Sequence, residues 1–234
     1  MIQTEGIFVG GGAISAPIIG EDFNWSGGDG TYQVLDDGGG NWRIKFLSSG
    51  TFTPLKNMVI DVFLVGGGGG AGSSYCGEGG AGYTTTVRSV VLTANTAYSI
   101  VVGAAGTNGN PSSAGGETTA FTASAAGGKN TSNGTSSSKR PGGAGGSGGA
   151  GYVSPVATTT GGTDGGDGTS SATTGGKGQG TTTREFGETD DDLYASGGGD
   201  NLTATVPNSG NGGSYNVEPA DGIVVIRQHK EVAA

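Results

Sequence analysis

Glycine constrains this chain more than any other residue type. Residues 142–151 read Gly-Gly-Ala-Gly-Gly-Ser-Gly-Gly-Ala-Gly, and glycine supplies 54 of the 234 residues. Further clusters lie at residues 66–70, 161–166 and 197–199. The run has neither the period of an amphipathic helix nor the alternation of a strand. Its three-residue period is typical of the left-handed polyproline II helix, which has three residues per turn and no internal hydrogen bonds.

Two interpretations of these clusters differ in what the backbone does. Ordering glycine costs more conformational entropy than ordering any other residue, so an isolated glycine-rich segment is expected to be a flexible linker. Alternatively, several glycine helices pack so closely that the N–H and C=O groups of one bond to the next. We favour packing, because segments with strand character bracket the clusters, and the seven prolines are too few for collagen. Residues 142–151 are then a helix of about 30 Å, and Gly146→Val should destabilise the bundle.

Composition and charge exclude several classes of protein. The formal net charge is −9 with 11 basic residues, and only Lys139 and Arg140 adjoin each other, so nucleic acid is not an expected partner. Cys76 is the single cysteine and rules out an intramolecular disulfide. The N-terminus lacks the features of a secretory signal, and no apolar run is long enough to cross a bilayer. We therefore expect synthesis in a cytoplasm and no membrane insertion.

Strand patterns predict an all-β sandwich. Residues 41–47 alternate, with Trp42 and Ile44 on one face and Arg43 and Lys45 on the other. Further segments rich in β-branched and aromatic residues predict strands at residues 57–65, 83–92, 97–102 and 222–228. No amphipathic helical stripe is present, which favours two packed sheets.

The last strand determines the organisation of the chain. Residues 223–226 are too apolar to stay exposed, so we expect them to pair with an early strand, from residues 57–65 or 83–102. This predicts four segments, which are an N-terminal attachment segment (1–21), the sandwich strands (22–102), an inserted bundle of glycine helices (103–221), and a closing strand with a tail (222–234). The first residues are alternatively the first hairpins of the sandwich. Loops that join the glycine helices would form the far tip.

Residues suited to catalysis or metal binding do not form a pattern. His229 is the sole histidine, with no carboxylate or thiol at a useful spacing, and we expect it to be exposed. A Gly-X-Ser-X-Gly nucleophile motif in a strand-to-helix context is missing. The aspartates at positions 164, 167 and 190–192 do not fit a calcium loop, and a solvated loop is the favoured interpretation. We therefore predict no enzyme activity, no catalytic residues, no metal and no cofactor.

Several segments resemble a known family. Residues 59–65 read Val-Ile-Asp-Val-Phe-Leu-Val and precede five glycines, and residues 79–86 and 98–106 continue the similarity. So do residues 178–188, Gly-Gln-Gly-Thr-Thr-Thr-Arg-Glu-Phe-Gly-Glu, and residues 222–227. Together they resemble the glycine-rich domain proteins of phage and prophage tail regions, over about residues 52–228. The architecture is similar to the tip adhesins of T-even-like tail fibres and to the glycine-rich region of anaplastic lymphoma kinase. This implies a TNF-like or jelly-roll sandwich with inserted polyglycine II helices.

The resemblance also implies a function. It is typical of a non-enzymatic tail-tip or fibre protein of the virion, made in the bacterial host cytoplasm, that recognises a glycan or protein receptor on the cell surface. Other virion tail proteins and two further copies of the chain, in a homotrimer, are the implied partners. The alternative is a purely structural virion protein such as a head fibre or decoration protein. A glycan-degrading depolymerase is less favoured, because paired carboxylates are not visible.

Candidate ligand-binding residues combine aromatic area with charge inside a segment otherwise made of glycine, serine and threonine. They are Phe186, Asp190, Asp191, Asp192 and Tyr194, with Tyr152 as a further candidate. We expect this acidic loop to project from the glycine framework. The alternative is that Phe186 and Tyr194 pack down onto the framework.

Overall fold

Two antiparallel five-stranded sheets make up the sandwich. The computed structural model describes residues 16–73, 76–131, 142–150, 183–188, 191–199 and 205–229. In spatial order, sheet A contains β1 (Phe23–Trp25), β4 (Gly50–Pro54), β7 (Tyr98–Val101), β8 (Thr118–Ala120) and β9 (Ala123–Ala125). Sheet B contains β2 (Tyr32–Gly38), β3 (Asn41–Phe46), β10 (Ile223–Gln228), β5 (Met58–Val65) and β6 (Thr84–Leu92). The predicted all-β sandwich is confirmed.

The hydrophobic core lies between the two sheets. Alternation on β3 turns Trp42, Ile44 and Phe46 toward sheet A, where they are at most 6% exposed. The Phe46 ring meets Phe52 of β4 at 5.6 Å between centroids, which joins the two sheets. Full burial of each such side chain stabilises the fold by about 1.5–3 kcal/mol.

The closing strand β10 lies in the middle of sheet B. Val224 is paired with Leu64 of β5 on one side and with Phe46 of β3 on the other. The predicted pairing with residues 57–65 is confirmed, whereas the second partner, β3, was not foreseen. Both faces of this strand are covered, because Val224 and Ile226 pack in the core between the sheets, while Ile223 and Val225 pack with Phe63 and Phe186 on the other face. This explains its uninterrupted run of Ile and Val.

Two short strands lie inside the range predicted as a glycine insertion. β8 and β9 contain only Thr, Ala and Ser, so they carry no apolar alternation that a sequence pattern can detect. They form a tight hairpin in which Phe121 has a φ of 56°. At the N-terminal end, β1 and β2 belong to different sheets and therefore do not form a hairpin with each other.

Glycine segments continue from the strand ends and bond to one another through their backbones. We call the glycine layer the set of residues 66–71, 78–83, 103–109, 113–116, 126–131, 142–150, 197–198 and 210–213. The hydrogen-bond acceptors of successive N–H groups lie on different segments, and the same segment is reached again every third residue. The N–H groups of Gly66 and Gly69 donate to Tyr83 and Gly80 of one segment. Those of Gly67 and Gly70 donate to Gly116 and Ser113 of another. A strand would repeat its partner every second residue.

Side chains are excluded at the buried glycine positions of this layer. A Cβ atom at Gly68 would lie 1.8 Å from the carbonyl oxygen of Asn211, and one at Gly145 would lie 1.8 Å from that of Ala81. Both distances are shorter than any real contact, so the segments meet backbone to backbone. The glycines are therefore a packing requirement of the ordered layer and not a flexible linker.

The prediction of one straight helix at residues 142–151 is wrong. The N–H groups of Gly143 and Gly146 donate to Glu78 and Ala81, so this part runs parallel to residues 78–81. Ala81 and Glu78 then donate to Ser147 and Ala150, which requires the opposite direction. The chain therefore reverses near residues 146–147, and Gly149 bonds back to Gly143 at 2.9 Å. A Cβ at Gly146 would lie 2.2 Å from the carbonyl oxygen of Gly82, so glycine is required there for close packing of the reversal. Residue 151 lies outside the described residues.

Candidate functional site

Charged residues occupy the face of sheet B that points away from sheet A. Alternation on β3 places Arg43 and Lys45 there, and the neighbouring strands add Asp61 and Arg227. Three of these side chains, those of Lys45, Asp61 and Arg227, are nevertheless buried. Residues 183–188 and 191–194 cover Lys45 and Arg227. We call this covering segment the clamp loop.

Backbone bonds hold the clamp loop as a narrow hairpin. Glu185 donates its N–H to the carbonyl of Asp192, and Tyr194 donates to Thr183, both at 2.9 Å. A 3-10 turn at Glu185–Gly187, in which Phe186 has a φ of 52°, points the Phe186 ring down onto the sheet. Phe186 and Tyr194 pack on Phe63, with centroid distances of 6.0 and 5.5 Å.

Glu185 is the centre of a buried ionic network. It is fully buried and accepts hydrogen bonds from Arg43 at 2.6 Å and from the Tyr194 hydroxyl at 2.9 Å. The Lys45 ammonium lies 3.1 Å from the same carboxylate and 3.0 Å from Asp192. Burial alone would lower the pKa of Lys45, but its bond to Tyr194 and the charge of Glu185 raise that pKa above its ordinary value. Burial and the negative charge of Glu185 raise the pKa of the Tyr194 hydroxyl. Lys45 therefore stays charged and anchors the loop to β3.

Asp61 is the centre of a second ionic network on this face of sheet B. Its carboxylate lies 3.1 Å from Arg88 and 3.2 Å from Arg227, and 2.6 Å from Nδ1 of His229. Burial alone would raise the pKa of Asp61, but hydrogen bonds from His229, the Ser89 backbone and Arg227 outweigh burial and lower it. The Arg227 guanidinium also stacks on the Phe186 ring at 4.2 Å. The loop is thus held to sheet B by both networks.

Ser89, His229 and Asp61 are the residue types of a hydrolase triad, but their geometry differs from one. The Ser89 hydroxyl lies 3.1 Å from Nε2 and 3.4 Å from Nδ1 of His229. Such similar distances place the hydroxyl beside the ring and off the axis of either nitrogen lone pair, whereas a general base takes the proton in line. The expectation that His229 is exposed is wrong, because its side chain is 21% exposed and folding brings the Asp61 carboxylate to it from 168 positions away. Sequence spacing carries no signal of such a long-range pair.

The structure places the predicted ligand-binding residues in three different environments. Phe186 and Tyr194 are 1% and 7% exposed, which corresponds to the alternative that they pack on the framework. The Asp191 side chain is partly exposed and that of Asp192 is 68% exposed. Asp190 and Tyr152 lie outside the described residues. The expectation that the loop projects is wrong for its described part, because buried cations on sheet B attract the acidic segment.

Two clefts flank the clamp loop. One, of about 160 Å³, is lined by the charged side chains Asp37, Arg43, Glu188, Asp191 and Arg227. The other, of about 410 Å³, has Lys45, Asp192, Leu193, Tyr194 and Val206 among its lining residues. Burial, together with the charge of Glu185, raises the pKa of Asp191, whereas the hydrogen bond from Lys45 lowers that of Asp192. Among the described residues, no cluster of histidine, cysteine and acidic side chains has the arrangement of a metal site.

A short hairpin that sequence reasoning missed lies in the turn that follows the glycine-layer segment 210–213. Ser214 and Val217 exchange both backbone hydrogen bonds, at 2.8 and 3.2 Å, and leave Tyr215 and Asn216 at the turn. Tyr215 is 62% exposed, although its neighbours Ser214 and Val217 are buried. We call residues 214–217 the tip hairpin. The only sequence signal was a single aromatic residue after a glycine cluster.

Comparison with known proteins identifies the family. The profile of a glycine-rich domain matches residues 47–227, well over half of the chain. The chain belongs to this glycine-rich domain family. A comparison with curated proteins found no match.

The match to the glycine-rich domain contains the glycine layer, the clamp loop and the tip hairpin. It begins directly after β3, so the strand that carries Arg43 and Lys45 lies outside the matched region. The domain's clamp loop therefore depends on a strand that precedes the domain. Within the part of the chain that the structure describes, no helix is long and apolar enough to span a membrane.

Proposed function

We propose that this protein is a non-enzymatic component of a bacteriophage or prophage tail that recognises the surface of a bacterial host cell. The observation that carries the proposal is the glycine layer, in which backbone groups bond directly and Cβ atoms are excluded at the buried glycines. Such a layer is a rigid support for the loops that join its segments. The resemblance to phage and prophage tail proteins supplies the biological context.

The glycine segments are, in this proposal, polyglycine II helices inserted in the sandwich. The three-residue repeat of hydrogen-bond partners supports this, because a helix with three residues per turn directs successive N–H groups to three different neighbours. Gly79 and Gly82 donate to Gly213 and Gly210, while Gly80 and Tyr83 donate to Lys129 and Ala126. Each pair of donors faces a single neighbouring segment.

The rigidity of the glycine layer favours receptor recognition over a purely structural role. A loop held in its bound conformation loses little entropy when it binds, so more of the contact energy appears as affinity. Asp191 and Asp192 remain the proposed ligand contacts from the clamp loop, since they line the two clefts and keep solvent access. A bacterial receptor, other virion tail proteins and a homotrimeric assembly are the proposed partners.

Attachment to cells tests this function. We expect the purified protein to bind cells of the bacterium that propagates the phage or carries the prophage, and to compete with infection. The double variant Asp191→Asn, Asp192→Asn should keep its fold and bind about tenfold more weakly, a loss of about 1.4 kcal/mol. Binding without competition would favour the alternative, a head fibre or decoration protein. Failure of the wild type to bind any host strain contradicts the proposal.

A further inference from the structure

The tip hairpin presents one aromatic side chain on a fixed support. The Asn108 amide nitrogen donates to the carbonyls of Ser214 and Val217, at 2.8 and 3.1 Å. Its amide oxygen accepts the N–H of Ala71 at 2.8 Å. One side chain therefore fastens the hairpin to the segment that continues from β5.

The base of the hairpin is equally fixed by the glycine layer. Gly213, which precedes the hairpin, donates its N–H to Gly69 and accepts from Gly79, both at 2.8 Å. Glu218, which follows it, receives the Asn108 N–H on its carboxylate at 3.4 Å. Tyr215 and Asn216 are thus the exposed residues of a turn whose flanking backbone is held in place.

We propose that the tip hairpin binds an uncharged saccharide on the bacterial surface, with the Tyr215 ring as its platform. Among the described residues, Tyr215 is the one aromatic in the set of exposed large apolar side chains. A single ring is too small to form the apolar core of a stable protein interface. A sugar ring, in contrast, packs its C–H face on a tyrosine and directs its hydroxyls at neighbouring polar groups.

Those polar groups are neutral and capable of both donating and accepting. Asn216 is exposed next to Tyr215 in the turn, and Asn110, two residues after the Asn108 that bonds to the hairpin, is exposed as well. Amides and hydroxyls match the alternating donors and acceptors of saccharide hydroxyls. A phosphate or carboxylate ligand would instead require clustered Arg residues. The glutamate at position 218 further disfavours an anionic ligand.

The inference rests on the proposed function, because the test uses host cells as the probe. It adds to that function a binding site distinct from the two clefts and names the class of ligand. The experiment measures attachment of the wild type to host cells that are untreated, oxidised with periodate, or digested with protease. Periodate cleaves vicinal diols of sugars, and protease removes surface proteins. The same measurement is made with Tyr215→Ala, Tyr215→Phe and, as a matched exposed control on β6, Val91→Ala.

We expect periodate to abolish attachment and protease to leave it intact. Tyr215→Ala should weaken attachment about tenfold, Tyr215→Phe should retain most of it because the ring is kept, and Val91→Ala should bind like the wild type. All variants should unfold at the wild-type temperature, since these side chains are exposed. Loss of attachment after protease but not periodate, or wild-type attachment by Tyr215→Ala, overturns the inference and leaves the proposed function standing. Absence of any attachment by the wild type overturns both.

Discussion

At the scale of single residues, two adjacent aspartates respond to the fold in opposite ways. The pKa of Asp191 is raised by burial and by the charge of Glu185, so the folded state disfavours its ionised form. The pKa of Asp192 is lowered by its hydrogen bond and ion pair with Lys45, so the folded state favours its ionised form. Above the ordinary aspartate pKa of about 3.9, Asp191 therefore costs stability and Asp192 contributes to it.

This opposition predicts different effects of two similar substitutions. At pH 7, Asp191→Asn should raise the unfolding temperature and Asp192→Asn should lower it. Exposed ion pairs contribute about 0.2–1 kcal/mol and 1 kcal/mol corresponds to about 2–4 °C, so the Asp192→Asn change should be a few degrees at most. Circular dichroism melts of the two variants and the wild type provide the measurement.

The pH dependence separates this explanation from a change in packing. The Asp191 difference should vanish as the pH falls from its raised folded-state pKa to about 3.9, and the Asp192 difference as the pH falls from about 3.9 to its lowered folded-state pKa, because the aspartates become protonated and resemble asparagine. The difference in unfolding temperature between Asp192→Asn and the wild type should therefore disappear at a lower pH than the difference between Asp191→Asn and the wild type. Differences that persist unchanged at low pH would contradict the electrostatic assignment.

At the scale of elements, the density of glycine in a segment reflects how many neighbours surround it. Residues 66–70 are all glycine, and all five are buried between other segments. In residues 103–109 only every third residue is glycine, and Ala104 and Thr107 between them are exposed. A segment with a solvent-facing side therefore carries side chains at two positions of each turn, whereas the enclosed residues 66–70 carry none.

Adding one methyl group inside the layer should accordingly be far more harmful than adding one atom at its surface. Gly68→Ala places a Cβ against the carbonyl of Asn211 and should cost more than about 2 kcal/mol, or more than about 4 °C in the unfolding temperature. Ala126→Ser, at an exposed position of the same layer, should stay within about 0.5 kcal/mol of the wild type. Equal unfolding temperatures for both variants would show that the layer is not packed as described.

At the scale of the whole molecule, the last strand joins parts of the chain that are far apart in sequence. β10 separates the β2–β3 pair from the β5–β6 pair, and its residues contribute to both faces of sheet B. Its four consecutive residues Ile223, Val224, Val225 and Ile226 are buried. At about 1.5–3 kcal/mol each, they contribute about 6–12 kcal/mol, similar to the whole net stability of a domain, about 5–15 kcal/mol.

Truncation after Asp221 should therefore prevent folding and not merely fray an edge. We expect aggregated protein in size-exclusion chromatography, with no cooperative melt, because sheet B is split and its pairing edges are left open. Truncation after His229 keeps β10 and its bond from His229 to Val59, and it serves as the control that should fold. A soluble, cooperatively melting chain that ends at Asp221 would contradict the central role of β10.

Local pattern determined five of the ten strands, β3, β5, β6, β7 and β10, and the presence of glycine packing. The alternation of Trp42, Ile44 and Phe46 with Arg43 and Lys45 predicted both faces of β3, because side chains of a strand alternate between two environments. The apolar run in residues 223–226 predicted a buried, returning strand. The three-residue spacing of glycine predicted close backbone contact, because only glycine permits it.

Only the tertiary structure decided where the acidic loop lies and which side chains are paired. The sequence shows three consecutive aspartates and two aromatics, a pattern equally compatible with a projecting loop and a covering one. Cations on β3 and β10, distant in sequence, attract Glu185, Glu188 and Asp192 onto sheet B. Likewise, Asp61 meets His229, and Asn108 meets the tip hairpin, through contacts between segments that no local spacing encodes. Pairing of this kind depends on which surfaces the folded chain brings together, and burial then fixes the charges and hydrogen bonds that result.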